Sequence, residues 1–173
     1  DFMENNPTSL RAPLKEETET SIRKDGISYV FESRSVSAVI NFVYTPIDGT
    51  FSDLELEING APPIKPADEG GLVVEMGGRV HTAESDEVER HFISCEQLED
   101  CVEARWQWVV DEEIANFLYR FKIVGKSLEV ELEGGNGKAC GLNLGRVMDA
   151  VSPKFIAIPY FNFGENHPRL LTT

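Results

Sequence analysis

The stretch that most constrains this chain runs from Ile114 to Leu132. Phe117, Tyr119, Phe121 and Ile123 alternate with Leu118, Arg120 and Lys122. After Gly125-Lys126 the alternation resumes, with Leu128, Val130 and Leu132 set against Ser127, Glu129 and Glu131. A period of two gives each strand one buried and one wet face. Gly125 sits at the reversal, where a tight turn needs a positive φ. A hairpin is only marginally stable by itself, so the rest of the chain is expected to supply strands that cover its apolar face.

Other segments have the same period. Ile27, Tyr29 and Phe31 predict one strand, and Ala38, Ile40, Phe42 and Tyr44 a second that stops at Pro46. Pro46-Ile47-Asp48-Gly49 is turn chemistry. Leu54, Leu56 and Ile58 face inward while Asp53, Glu55 and Glu57 face out, and Asn59-Gly60 marks the next turn. Pro62, Pro63 and Pro66 cannot donate to a ladder and predict an edge or a loop. Leu72, Val74 and Met76 form a strand between glycine pairs. His91–Cys95 reads as another, and Cys101–Val110 as the next, with Val102, Ala104, Trp106 and Trp108 on one face. Residues 138–147 and 154–161 are expected to add two more. Residues 83–89 are acidic and aperiodic, a loop or a single helical turn. Strands this frequent, with no long helical period, predict an all-β fold, a large antiparallel two-sheet β-sandwich. Residues 1–25 read as a polar arm that could add a short edge strand, residues 26–161 as the sandwich, and residues 162–173 as an exit segment. The abrupt ends of the chain suggest a segment of a longer protein.

The formal net charge is −14. Nucleic acid and anionic membranes both call for a basic surface, so neither is an expected partner. No apolar run reaches the ~20 residues needed for a membrane-spanning helix. The three cysteines are too few for a disulfide scaffold. Cys95 and Cys101 flank a short polar stretch, and both a bridge and a pair of ordinary thiols fit their spacing.

Several constellations suggest chemistry and do not complete it. Trp106 and Trp108 share a side with Val102 and Ala104, the apolar side, which fits core residues better than the other reading, a sugar-stacking pair. Residues 134–138, Gly-Gly-Asn-Gly-Lys, lack phosphate-loop spacing, and Ala139 stands where a Ser or Thr would bind magnesium. His81, His91 and His167 are far apart, and no metal site is expected. Asp48 and Asp53 bracket one turn, and Asp111, Glu112 and Glu113 cluster at another. Calcium and plain solvated turns both fit these carboxylates, and the turns fit better because calcium-loop spacing is missing. With 30 acidic residues some carboxylate pair always meets glycosidase spacing, so that spacing carries no weight. No cofactor is expected and no catalytic residue is assigned.

Two segments, residues 117–132 and residues 141–160, resemble the N-terminal β-sandwich of multidomain glycoside hydrolases, of the galactose-mutarotase-like or supersandwich type. The resemblance implies a non-catalytic accessory domain of a carbohydrate-active enzyme. Its partner would be a following catalytic domain of the same polypeptide, with carbohydrate as a further partner. It also implies a secreted, periplasmic or cell-surface location. The alternatives are a free-standing carbohydrate-binding module, a structural or adhesion domain without sugar affinity, and a small stand-alone enzyme such as an epimerase. The polar-tipped residues Tyr160, Asn162, Glu165, His167 and Arg169 crowd beside Gly164 and Pro168. A plain exit linker is one reading of them. The other is a carbohydrate-binding cleft shared with the following domain, through Tyr160, Asn162, His167 and Arg169.

Overall fold

The structure is a computed structural model that describes residues 17–151, 154–155 and 171–172. The first strands are β1 (Glu19–Asp25), β2 (Ser28–Arg34), β3 (Val39–Tyr44), β4 (Leu54–Ile58), β5 (Lys65–Asp68), β6 (Gly71–Met76) and β7 (Arg79–His81). The longest follow: β8 (Glu89–Gln97), β9 (Val102–Val110), β10 (Glu113–Val124) and β11 (Ser127–Gly134). The last are β12 (Ala139–Asn143), β13 (Arg146–Met148), β14 (Lys154–Phe155) and β15 (Leu171–Thr172). The fold is all-β, antiparallel and sandwich-like.

One layer is the four-stranded sheet β11-β10-β9-β8. The predicted hairpin is its centre: Phe121 lies opposite Val130 on β11 and Val102 on β9, and Phe117 opposite Gly134 and Trp106. Against this layer stand the sheet β1-β2-β3-β4 and the inward face of β6, which belongs to the sheet β12-β6-β7. The core between them is aromatic. Phe121 meets Tyr44 at 4.4 Å and Phe31 at 6.3 Å between ring centroids. Trp108 and Phe117 meet edge to face, at 5.4 Å and 88°. Tilted and edge contacts suit the ring quadrupoles better than flat stacking. Leu72, Val74 and Met76 complete the core, and Trp106 and Trp108 are buried in it as the alternation requires.

Polar atoms tie the layers together. Trp106 Nε1–H donates to the Tyr44 hydroxyl at 3.1 Å, and the Leu72 N–H donates to the Tyr119 hydroxyl at 2.8 Å. Each bond satisfies a buried group that would otherwise cost about 1–3 kcal/mol.

The structure also revises local details. β1 starts at Glu19, inside the stretch read as an arm, and pairs along its whole length with β2. Ile27 is exposed at the turn between them and takes no part in the core. Residues 138–147 do not form one strand. They divide into β12 on β6 and β13 on β5. The break falls at Gly145, where φ is +69° and a Cβ would stand 2.4 Å from the Asp68 carbonyl oxygen. Only glycine fits that approach without strain. Cys95 lies opposite Ala104, while Cys101 sits in the turn, its carbonyl accepting from the Leu98 N–H. The register separates the two, and the thiols are free. The acidic stretch at residues 83–88 is a loop held by Ser85 and Val88 backbone bonds.

Candidate binding surfaces

Three places on the molecule combine functional groups with a reason to be where they are. The first is internal. The loop between β3 and β4 folds over Trp106 so tightly that a Cβ on Gly49 would lie 2.6 Å from the indole. Asp53, only 4% exposed, closes this loop on itself. Its carboxylate accepts the backbone N–H groups of Ile47 at 3.1 Å, Asp48 at 3.2 Å and Gly49 at 3.0 Å. Asp48 in turn accepts from the Thr50 N–H at 2.9 Å and the Thr50 hydroxyl at 2.6 Å. Burial pushes the Asp53 carboxyl up to about 7, the Asp48 carboxylate adds to the rise, and the three N–H donors oppose it. Asp53 is therefore an internal staple and not the solvated turn residue that its spacing suggested. Burial likewise lifts the Tyr44 and Tyr119 hydroxyls, with Asp53 as a further cause for each. Among the described residues, no group of three or more His, Cys, Asp or Glu side chains is placed to hold a metal.

The second place is the outer face of the sheet β8–β11, a groove of about 320 Å³. Its key residues form a row across four strands. Leu118 on β10 lies opposite Arg105 on β9 and opposite Glu133 on β11. On β8 the pairing shifts between Phe92 and Ser94, so Ile93 is the extra residue of a bulge beside Arg105. Bulges re-aim side chains in this way. Leu118 is 6% exposed although it lies on the wet face, and Ile93 is 56% exposed. They give the groove an apolar floor and rim. Asn116 completes it, its carboxamide oxygen accepting from Gln107 at 2.9 Å. Arg105 binds Glu103 at 2.8 Å, and Glu133 lies 3.5 Å from Arg120. Arg120 also binds Glu131 and Glu103, and these partners hold its guanidinium more firmly protonated than usual.

The third is the strip formed by β12, β13 and the residues just after them. Every residue of both strands is exposed. Leu142, Val147 and Met148 stand on it, with Leu144 at 75% exposure and Val151 at 87%. The cations at its margins are neutralised, Lys138 by Glu113 and Arg146 by Glu69. The strip is apolar, and carboxylates are in excess around it, since Glu84 also lies 3.8 Å from Arg146 and Asp149 follows Met148.

Tyr160, Asn162, His167 and Arg169 lie outside the described residues. The groove was not anticipated, although one signal pointed to it. Leu118 breaks the polar side of the β10 alternation, and an apolar residue on a wet face asks for something to cover it. Ile93 reaches that face through a bulge, which no alternation pattern reveals. No family model, curated protein or solved structure matches this chain.

Proposed function

We propose that this chain is a non-catalytic accessory β-sandwich module that packs on a catalytic module of a carbohydrate-active enzyme. The observation that carries the proposal is the apolar strip. A strand with both faces in solvent contributes little to its own fold, yet β12 and β13 keep Leu142, Val147 and Met148 there. Leu142, Leu144, Val147, Met148 and Val151 are large apolar side chains left exposed close together in the chain, a density that marks a candidate interface. The catalytic nature of the neighbour is inferred from the resemblance of residues 117–132 and 141–160 to accessory sandwiches of glycoside hydrolases. The second of these segments contains most of the strip.

The test is hydrogen exchange in residues 139–148, measured in this chain alone and in the polypeptide as its gene encodes it. Packing on a neighbour should slow exchange there at least tenfold, and Leu144→Asp should reverse the slowing while leaving the sandwich melting temperature in place. Equal exchange rates in the two settings, or a gene product with no further domain, would refute the reading.

A further inference from the structure

We infer that the groove on the outer face of the β8–β11 sheet binds a neutral saccharide. The site shares no residue with the strip on β12 and β13, and the inference stands whether or not that strip docks on another module. The starting point is the row Ile93, Arg105, Leu118 and Glu133, which brings two apolar groups and two charged ones side by side on one rigid sheet. Sites built on strands hold their side chains more firmly than sites on loops. The volume, about 320 Å³, falls at the small end of the roughly 300–1,000 Å³ usual for ligand pockets, which suits a mono- or disaccharide.

The chemistry of the lining narrows the ligand class. Glu133 can only accept hydrogen bonds and Arg105 can only donate them. Gln107 occupies the Asn116 carboxamide oxygen, which leaves the Asn116 amide nitrogen as a donor. A simple anion would meet the Glu133 carboxylate, and a simple cation the Arg105 guanidinium. A wholly apolar ligand would strip water from all three groups and return nothing. A zwitterion would compete with existing partners, because Arg105 is paired with Glu103 and Glu133 lies beside Arg120. Glu103, Glu131 and Glu133 outnumber Arg105 and Arg120, so the groove's charge does not suit an anion, and what its side chains offer a neutral ligand is hydrogen bonding. Hydroxyl groups both donate and accept, so neighbouring sugar hydroxyls can give to Glu133 and take from Arg105 and Asn116. The aliphatic floor at Leu118 and Ile93 receives the C–H face of the ring.

The experiment is a ¹H–¹⁵N titration of the whole chain with methyl glucopyranoside, methyl galactopyranoside and methyl mannopyranoside, with glycine and inorganic phosphate as the zwitterion and anion arms. At least one sugar should move the Asn116 side-chain amide and the Leu118 and Gly134 backbone amides in a saturable way, with a Kd in the millimolar range usual for so small a ligand. Asn116→Ala and Glu133→Gln should each weaken binding about tenfold, the expected effect of losing a bond to a polar or charged partner. Glu129→Gln, on the same strand as Glu133 but outside the groove, should bind as the parent does. Folding of each variant is checked by its unchanged core resonances. The inference is overturned if no sugar produces saturable shifts at the groove, if glycine or phosphate binds there in place of sugar, or if both groove variants bind sugar like the parent.

Discussion

β10 and β12 are both strands, both antiparallel to a neighbour, and they stand at opposite ends of what a strand can contribute. β10 has a partner on each side and a second layer over one face, so Ala115, Phe117, Tyr119, Phe121 and Ile123 are buried. β12 has β6 on one side, and all five of its residues are exposed. Backbone pairing is present in both. What separates them is the covering layer, and burial of apolar area is the dominant stabilising term in a fold of this kind. β10 therefore holds the molecule together, whereas β12 is available to something outside it.

The comparison is broken most directly at the core. Trp106→Ala should cost about 3–5 kcal/mol, the usual range for emptying a large buried aromatic site, and it also removes the donor that satisfies the Tyr44 hydroxyl. Phe121→Ala, which loses contacts with Tyr44, Phe31 and Tyr119, belongs in the same range. Urea melts that left either variant level with the parent would mean that this layer is not what stabilises the fold.

The next effect is smaller and depends on pH. Asp53 has its folded pKa raised to about 7 by burial, with Asp48 as the second cause. Its unfolded pKa is near the ordinary value of about 4. Below about 4 the group is protonated in both states, and its contribution to stability is fully present. Between about 4 and 7 the unfolded chain has given up its proton while the folded chain still holds it, so stability falls as pH rises, by at most about 4 kcal/mol. Asp53→Asn should flatten that slope. Asp48→Asn should lower the Asp53 pKa and move the slope to lower pH. Urea midpoints of the three proteins across this window decide the matter, and parallel curves would show that the loop carboxylate ionises freely.

How much of this was legible in the sequence follows from the same contrast. Where a strand has one covered face, alternation marks it, and Phe117, Tyr119, Leu72, Val74, Trp106 and Trp108 are in the core where their period puts them. Where nothing covers a strand, alternation says little, and residues 138–147 gave no sign that Gly145 divides them between two sheets. The two surface features failed for different reasons. Ile93 enters the groove through a bulge, a shift in pairing that depends on β9 and not on the order of residues in β8. Asp53 looked like one more outward carboxylate on an acidic chain. Its burial depends on three N–H groups that converge only after the loop has closed over Trp106.

A local test of that closure is Gly49→Ala. Gly49 has φ at +75°, and an added Cβ would meet the Trp106 ring at 2.6 Å. The left-handed backbone alone costs a residue with a Cβ about 1–2 kcal/mol, and crowding a packed core typically adds about 1–3 kcal/mol. The indole is fixed by its bond to Tyr44, so it cannot swing aside cheaply. An expected loss of about 2–5 kcal/mol follows, measured by thermal or urea unfolding. Parent-like stability would mean that the loop lifts away from Trp106, and with it that the Asp53 staple is weak.

The smallest expected effect separates the exposed strip around β12 and β13 from β10 most sharply. Leu144→Ser and Val151→Ser both remove a large apolar side chain that stands in solvent. Neither vacates a cavity, because no covering layer is lost, so each should change stability by no more than about 0.5 kcal/mol. The same exchange at Leu72, fully buried on β6, should cost several times as much, since it creates a cavity and places a hydroxyl beside apolar neighbours. Stability is thus nearly blind to the strip. If the strip is an interface, the two serine variants should together lower the tendency of the chain to self-associate at high concentration, read by light scattering, with the melting temperature in place. A melting temperature that falls on changing Leu144 or Val151 would assign them to the fold. Unchanged scattering would remove the reason for regarding these exposed side chains as a surface kept for contact.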